Sequence, residues 1–151
     1  MNNDVKTDVK LDRMRYKNDS VPEMLAILAI VFNVLYFFSI YETNADFFYT
    51  YFIGMSIIVN LLFLLVCFLS SEEVKNYHST YAYVMIGLAV LQVIRIFYYP
   101  MKALEAEAIT SGQSTLCIAY LVASAACLVV GGIISINNSG KLNKYLETIG
   151  K

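Results

Sequence analysis

The stretch 47–69, FFYTYFIGMSIIVNLLFLLVCFL, decides the fold, because it carries no charged side chain and no proline. Such a run is long enough to cross about 30 Å of hydrocarbon as a helix. Three further runs, Met24 to Tyr41, Tyr81 to Tyr99 and Leu116 to Ile136, are also apolar, with Arg95 their one charge, and all four are roughly 18 to 23 residues long. In lipid, backbone N–H and C=O groups must be satisfied within a helix or a closed barrel, and runs this continuous lack the period-two alternation of a barrel strand. The expectation is an all-α integral membrane protein. A domain over 21–136 holds four transmembrane helices, spanning about 24–41, 47–69, 81–99 and 116–136, between a polar tail over 1–20 and a short amphipathic tail over 137–151.

Composition agrees with one membrane domain. The chain is 58% hydrophobic and 15% charged, with a formal net charge of −1. A water-soluble domain cannot hide that much apolar surface. Nucleic acid is not an expected partner, since phosphate binding needs a concentrated excess of Lys and Arg. Cys67, Cys117 and Cys127 stand alone, without a C-x-x-C pair or a His nearby. They read as small packing residues, which argues against a dithiol oxidoreductase and against a metal centre.

The first run is expected to stay as an anchor, because its apolar core is too long for a cleaved leader and no small-x-small pattern precedes Tyr41 and Glu42. Ser20-Val21-Pro22-Glu23 marks its start, with a hydroxyl at the N-cap, proline in the first turn and a carboxylate placed to close a capping box.

Cation placement predicts the direction of the spans. Lys6, Lys10, Arg13, Arg15 and Lys17 precede the first, Lys75 lies between the second and third, and Lys141, Lys144 and Lys151 follow the fourth. The opposite side carries only Lys102. Both termini are therefore expected in the cytoplasm of a bacterial cell, with the turns 42–46 and 101–114 outside. Aromatic side chains crowd those outer ends. They read as an interfacial belt or, with Tyr41, Glu42, Asp46, Tyr98 and Tyr99 facing outward, as a rim that meets a sugar or an extracytoplasmic binding protein.

The fourth span repeats small residues at every fourth position: Ala119, Ala123, Cys127, Gly131 and Ser135. Helices in lipid associate by close backbone approach along such faces, so the stripe is expected to pack against a helix, either in this bundle or in a partner. Polar residues within the spans are few: Asn33, Asn60, Gln92 and Arg95. Arg95, the one charge, either snorkels toward the outer interface or joins Gln92, three residues away on the same helix face, in a polar contact to a carboxylate such as Glu42, Asp46 or a partner's acid.

Chemistry is hard to place. There is no Asp or Glu inside a span to bind a coupling ion, no Gly/Pro break of a discontinuous helix, and no Walker motif or serine elbow. His78 stands alone near the inner interface, and Glu72 and Glu73 read as solvated turn residues. No catalytic, cofactor-binding or metal-binding residue is expected, so the chain does not read as an enzyme. At the C-terminus Leu142, Tyr145, Leu146 and Ile149 recur at helical spacing, as in a short helix lying on the membrane or on a partner.

The motifs Tyr16-Lys17-Asn18-Asp19, Val74-Lys75-Asn76-Tyr77, Arg95-Ile96-Phe97, Pro100-Met101-Lys102 and Leu142-Asn143-Lys144-Tyr145 resemble a group of small four-helix membrane proteins of anaerobic Gram-positive bacteria. Those proteins accompany the permease and ATPase subunits of carbohydrate importers of the ATP-binding-cassette class. The resemblance implies an accessory subunit that stabilises or regulates a permease, and it assigns no site residue. The alternative expectation is a homo-oligomeric pore or facilitator in which Asn33, Asn60, Gln92 and Arg95 line a polar path.

Overall fold

In the computed structural model the chain is described over residues 17–41, 52–105 and 109–149, together with Val9, Leu11, Asp12, Met14 and Glu107. Among these the regular structure is helical throughout: α1 (Ser20–Tyr41), α2 (Phe52–Val74), α3 (Ser79–Tyr98), a short α4 (Pro100–Glu105) and α5 (Ser111–Ile149). Four helical segments, α1, α2, α3 with α4, and α5, are long and apolar enough to cross a membrane. Most of the N-terminal tail, Glu42 and Asp46, and the beginning of the second apolar run lie outside the described residues.

Local chemistry explains where the helices start and stop. α1 is capped one residue earlier than Ser20: the Asp19 side chain accepts the Val21 backbone N–H, the usual N-cap pairing with the second helical residue. Val74 to His78 turns the chain between α2 and α3, with Tyr77 in the left-handed region at φ 62° and its N–H donating to Val74 O at 3.1 Å. Pro100 cannot donate to the preceding turn, so α3 ends at Tyr98 and a separate short helix begins. α5 opens with a capping box. Gln113 N–H donates to Thr110 Oγ1 at 3.3 Å, and Thr110 N–H donates to Gln113 Oε1 at 3.0 Å.

Consecutive long helices run antiparallel and form a ring. α5 packs along α1 and α3, while α2 lies on the other side of the bundle against α1 and, less extensively, α3. The interior is built from small side chains: Ala26, Ala29, Cys67, Ala82, Ala89 and Ala125 surround Phe63, Met85, Leu88 and Leu128. Large apolar residues such as Leu35, Phe38, Leu61, Leu65, Phe68, Ile94 and Ile133 point out of the bundle and are exposed. The arrangement inverts that of a soluble bundle, which puts its bulky apolar residues inside.

α5 differs from expectation in its length. Its 39 residues rise about 58 Å at 1.5 Å per residue, so the fourth apolar run and the C-terminal segment form a single helix extending well past a bilayer's thickness. Residues 137–149 continue that helix rather than forming a separate one: they contain no proline, and their one glycine, Gly140, costs only about 1 kcal/mol.

The terminal end of the bundle is tied by polar contacts. Asp19 N–H donates to Lys75 O at 2.9 Å, and Asn138 Nδ2 donates to the Asp19 carboxylate at 2.7 Å. Lys75 Nζ lies 3.9 Å from Glu23 and bonds Glu72. Three separate chain segments meet at Asp19: the entry to α1, the α2–α3 turn and the C-terminal part of α5.

Candidate functional site

The four polar residues singled out from the spans converge on one point inside the bundle. Asn33 comes from α1, Asn60 from α2, and Gln92 and Arg95 from adjacent turns of α3. Each is buried. Arg95 Nη1 donates to Asn33 Oδ1 at 3.0 Å and to Gln92 Oε1 at 2.9 Å. Its Nη2 donates to Asn60 Oδ1. Gln92 Nε2 donates to Asn33 Oδ1 at 3.1 Å and to Ser124 Oγ at 3.0 Å, and Ser124 Oγ donates to Ala29 O at 3.1 Å. All four long helices are thus joined through one connected set of hydrogen bonds.

Arg95 does not snorkel. Its residue is 9% exposed, and the guanidinium lies 4.8 Å from the centre of the Tyr36 ring and 5.9 Å from that of Phe63. Aromatic faces, with their negative quadrupole, favour a cation held between them. The expected polar contact of Gln92 with Arg95 is therefore made, but to amide oxygens on α1 and α2. Among the described residues no carboxylate pairs with Arg95. Glu42 and Asp46 fall outside them.

Beside the guanidinium is a cavity of about 60 Å³, lined by Tyr36, Met55, Ser56, Val59, Arg95, Tyr98 and Tyr99. It lies at the end of the bundle that carries the α1–α2 connection and α4. Tyr36 and Tyr99 meet edge to face, with ring centres 6.4 Å apart. Asn60 Nδ2 is buried at this site with no hydrogen-bond partner among the described residues, and the buried Tyr36 hydroxyl has Arg95 as its polar neighbour.

The proposed outer rim does not present one surface. Tyr98 is 54% exposed and Tyr99 only 6% exposed, because neighbouring helix positions point about 100° apart. Tyr98 stacks under Lys102, whose Nζ sits 4.9 Å from its ring centre. Tyr41 ends α1, but its side chain is outside the described residues, as are Glu42 and Asp46.

The small-residue stripe is split likewise. Gly131 and Ser135 are buried, Ala123 and Cys127 are partly covered, and Ala119 is exposed. Four residues advance an α-helix by about 400°, so a strict i+4 row drifts by about 40° at each step. The face that packs mixes steps of three and four instead: Cys117, Leu121, Ser124, Leu128, Gly131, Ser135, Ser139 and Leu142. At Gly131 an added Cβ would lie 2.8 Å from Met85 Cε and 3.2 Å from Leu25 Cβ, which puts this contact within the bundle.

Two members of the site escaped the sequence. Tyr36 stands three residues beyond Asn33, which places both on one helical face, and that spacing was the available signal. Ser124 had none, since a serine in an apolar helix commonly bonds its own backbone.

At the terminal end, burial pushes the Asp19 carboxyl above the ordinary aspartate value, against the hydrogen bonds from Asn138 and the Val21 N–H that pull it down. His78 is exposed, with Nε2 3.8 Å from Glu73 Oε2. Among the described residues no three His, Cys, Asp or Glu side chains gather as metal ligands.

Comparison of the chain with protein families, curated proteins and solved structures finds no match. What the site does has to be read from its own geometry.

Proposed function

We propose that the chain is a non-catalytic accessory subunit of a membrane transport complex, a multi-pass protein of the bacterial cytoplasmic membrane with both termini inside. In this role it packs against a permease-like partner and stabilises or regulates it. The observation that carries this reading is the inverted distribution of side chains. Asn33, Asn60, Gln92 and Arg95 hydrogen-bond to one another at the centre, and the outward faces of the described helices carry large apolar side chains for lipid and neighbouring helices. A bundle held together this way is a rigid packing unit. Its class of partner, a carbohydrate importer driven by an ATP-binding cassette, comes from the resemblance of its short motifs.

The pore reading has less support. Asn33, Asn60, Gln92 and Arg95 are hydrogen-bonded within a single chain, so a path between copies would have to be lined by the apolar outer surface. Purification in mild detergent, followed by identification of co-purifying chains, tests the proposal. Permease and ATPase subunits are the expected companions. A pure homo-oligomer that passes solute in liposomes would overturn it.

A further inference from the structure

We propose that a groove along the C-terminal part of α5 holds the phosphate headgroup of an anionic phospholipid. The groove is open, measures about 470 Å³ and is lined by Ile133, Ile136, Asn137, Gly140, Lys141 and Lys144. These positions follow one another in steps of three, one, three, one and three, so they form a single face of the helix. The volume lies within the range of about 300–1,000 Å³ usual for small-molecule sites. The inference rests on the reading that α5 crosses a bilayer, and on no transport partner.

Along its length this face changes character as a lipid does. Ile133 and Ile136 close the apolar run of α5, and Asn137 follows directly. Lys141 and Lys144 stand about 7.5 and 12 Å beyond Ile136 along the axis, at 1.5 Å per residue. Side chains on an α-helix tilt toward its N-terminus, here the membrane side, so both lysines lean back toward the depth of the lipid phosphates. The isoleucines lie where the acyl chains begin.

Charge and space both select this occupant. Lys75, in the α2–α3 turn at the same end of the bundle, is neutralised by Glu23 and Glu72. Lys141 and Lys144 are exposed, and among the described residues no carboxylate lies within ion-pair distance of either. Gly140 stands between Asn137 and the two lysines, and a Cβ added there would meet nothing within 4 Å. Glycine weakens a helix interior, yet no close packing demands one at this position. What its missing side chain leaves is room between an amide and two ammonium groups. Two cations favour an anionic headgroup over a zwitterionic one, whose own ammonium they repel.

Native mass spectrometry of the full-length protein in neutral detergent, titrated with phosphatidylglycerol or with phosphatidylcholine of the same chains, tests the site. Each lysine near an anionic headgroup contributes a factor of about five in affinity, so the wild-type protein is expected to prefer phosphatidylglycerol about 25-fold. Lys141→Gln and Lys144→Gln should each reduce that preference about five-fold, while Lys102→Gln, which removes a charge at the other end of the bundle, leaves it unchanged. Gly140→Leu keeps every charge and fills the groove. It should reduce the preference as much as loss of both lysines without lowering the melting temperature, because the position is open. Glycerol phosphate, a headgroup without chains, should not displace the lipid at equal concentration.

Equal binding of the two lipids, an equal loss in Lys102→Gln, a Gly140→Leu protein that keeps its preference, or displacement by glycerol phosphate would overturn the proposal. So would lysine effects confined to a dimer, which would give the groove to a second copy of the chain. A protein that stays in solution without detergent would overturn the membrane reading and the site with it, whereas one that needs detergent and does not discriminate between the lipids would overturn the site alone.

Discussion

Arg95 donates to Asn33 Oδ1 at 3.0 Å across 62 residues of sequence, and this contact ties α3 to α1 at the centre of the bundle. Because Asn33 Oδ1 also accepts from Gln92, one oxygen serves two donors. Asn33→Leu should therefore destabilise the protein by about 1.5–3 kcal/mol, the range for hydrogen bonds to charged groups. The double variant Asn33→Leu/Arg95→Met should cost less than the sum of the two single variants, since removing the cation removes the need for its acceptor. Unfolding in mixed micelles measures all three. Additive losses would show that the residues act independently.

Lysine should not replace arginine here. A compact ammonium cannot reach the oxygens of Asn33, Gln92 and Asn60 together while lying against the Tyr36 and Phe63 rings. Arg95→Lys is expected to lower the melting temperature clearly in detergent. An unchanged melting curve would mean that the side chain leaves the core for the interface.

The glycines of α5 should rank by what surrounds them. A Cβ at Gly132 would lie 2.9 Å from Ile86 Cγ1 and 3.0 Å from the Ala82 backbone oxygen, neither of which moves freely, so Gly132→Ala should cost about 1–3 kcal/mol. Gly131→Ala meets chiefly the flexible end of Met85 and should cost less. Gly140 has nothing within 4 Å, and Gly140→Ala should gain about 0.5–1 kcal/mol from helix propensity. Thermal unfolding of the three variants checks the order.

Asp19 should make the terminal clasp sensitive to pH. Its carboxyl is raised by burial, so the folded chain binds that proton more tightly than the unfolded chain does. Its contribution to stability is then greatest below the ordinary aspartate value and is lost as pH rises through the raised one. Asp19→Asn, neutral at every pH, should flatten this part of the profile. Melting curves of the two proteins between acid and neutral pH would show whether they differ in slope; parallel profiles would sink the assignment.

Both termini are expected on the cytoplasmic side. A cysteine placed at Thr43, in a background lacking Cys67, Cys117 and Cys127, should react with an impermeant thiol label added to intact cells, while one placed at Asn143 should be shielded. The reverse pattern would invert the topology.

The four long apolar helices were legible in the sequence because the tendency to transfer into lipid is nearly a local property: each window of apolar residues has it whatever its neighbours do. Pro100 and the Thr110 to Gln113 box likewise set helix ends through chemistry within a turn or two, whereas the continuation of α5 through residues 137–149 departs from the separate short tail expected there. The inward faces were not legible. The i+4 row of small residues on α5 looked like a stripe, but helical drift turns Ala119 outward while Gly131 is buried, and only packing against α1 and α3 selects the face of mixed three- and four-residue steps. For Arg95, the sequence leaned to snorkelling over a polar contact, because the choice depends on acceptors brought from other helices. Tertiary structure decided it by carrying Asn33 and Asn60 to the guanidinium, since a buried cation settles wherever the bundle supplies enough oxygen atoms to replace water.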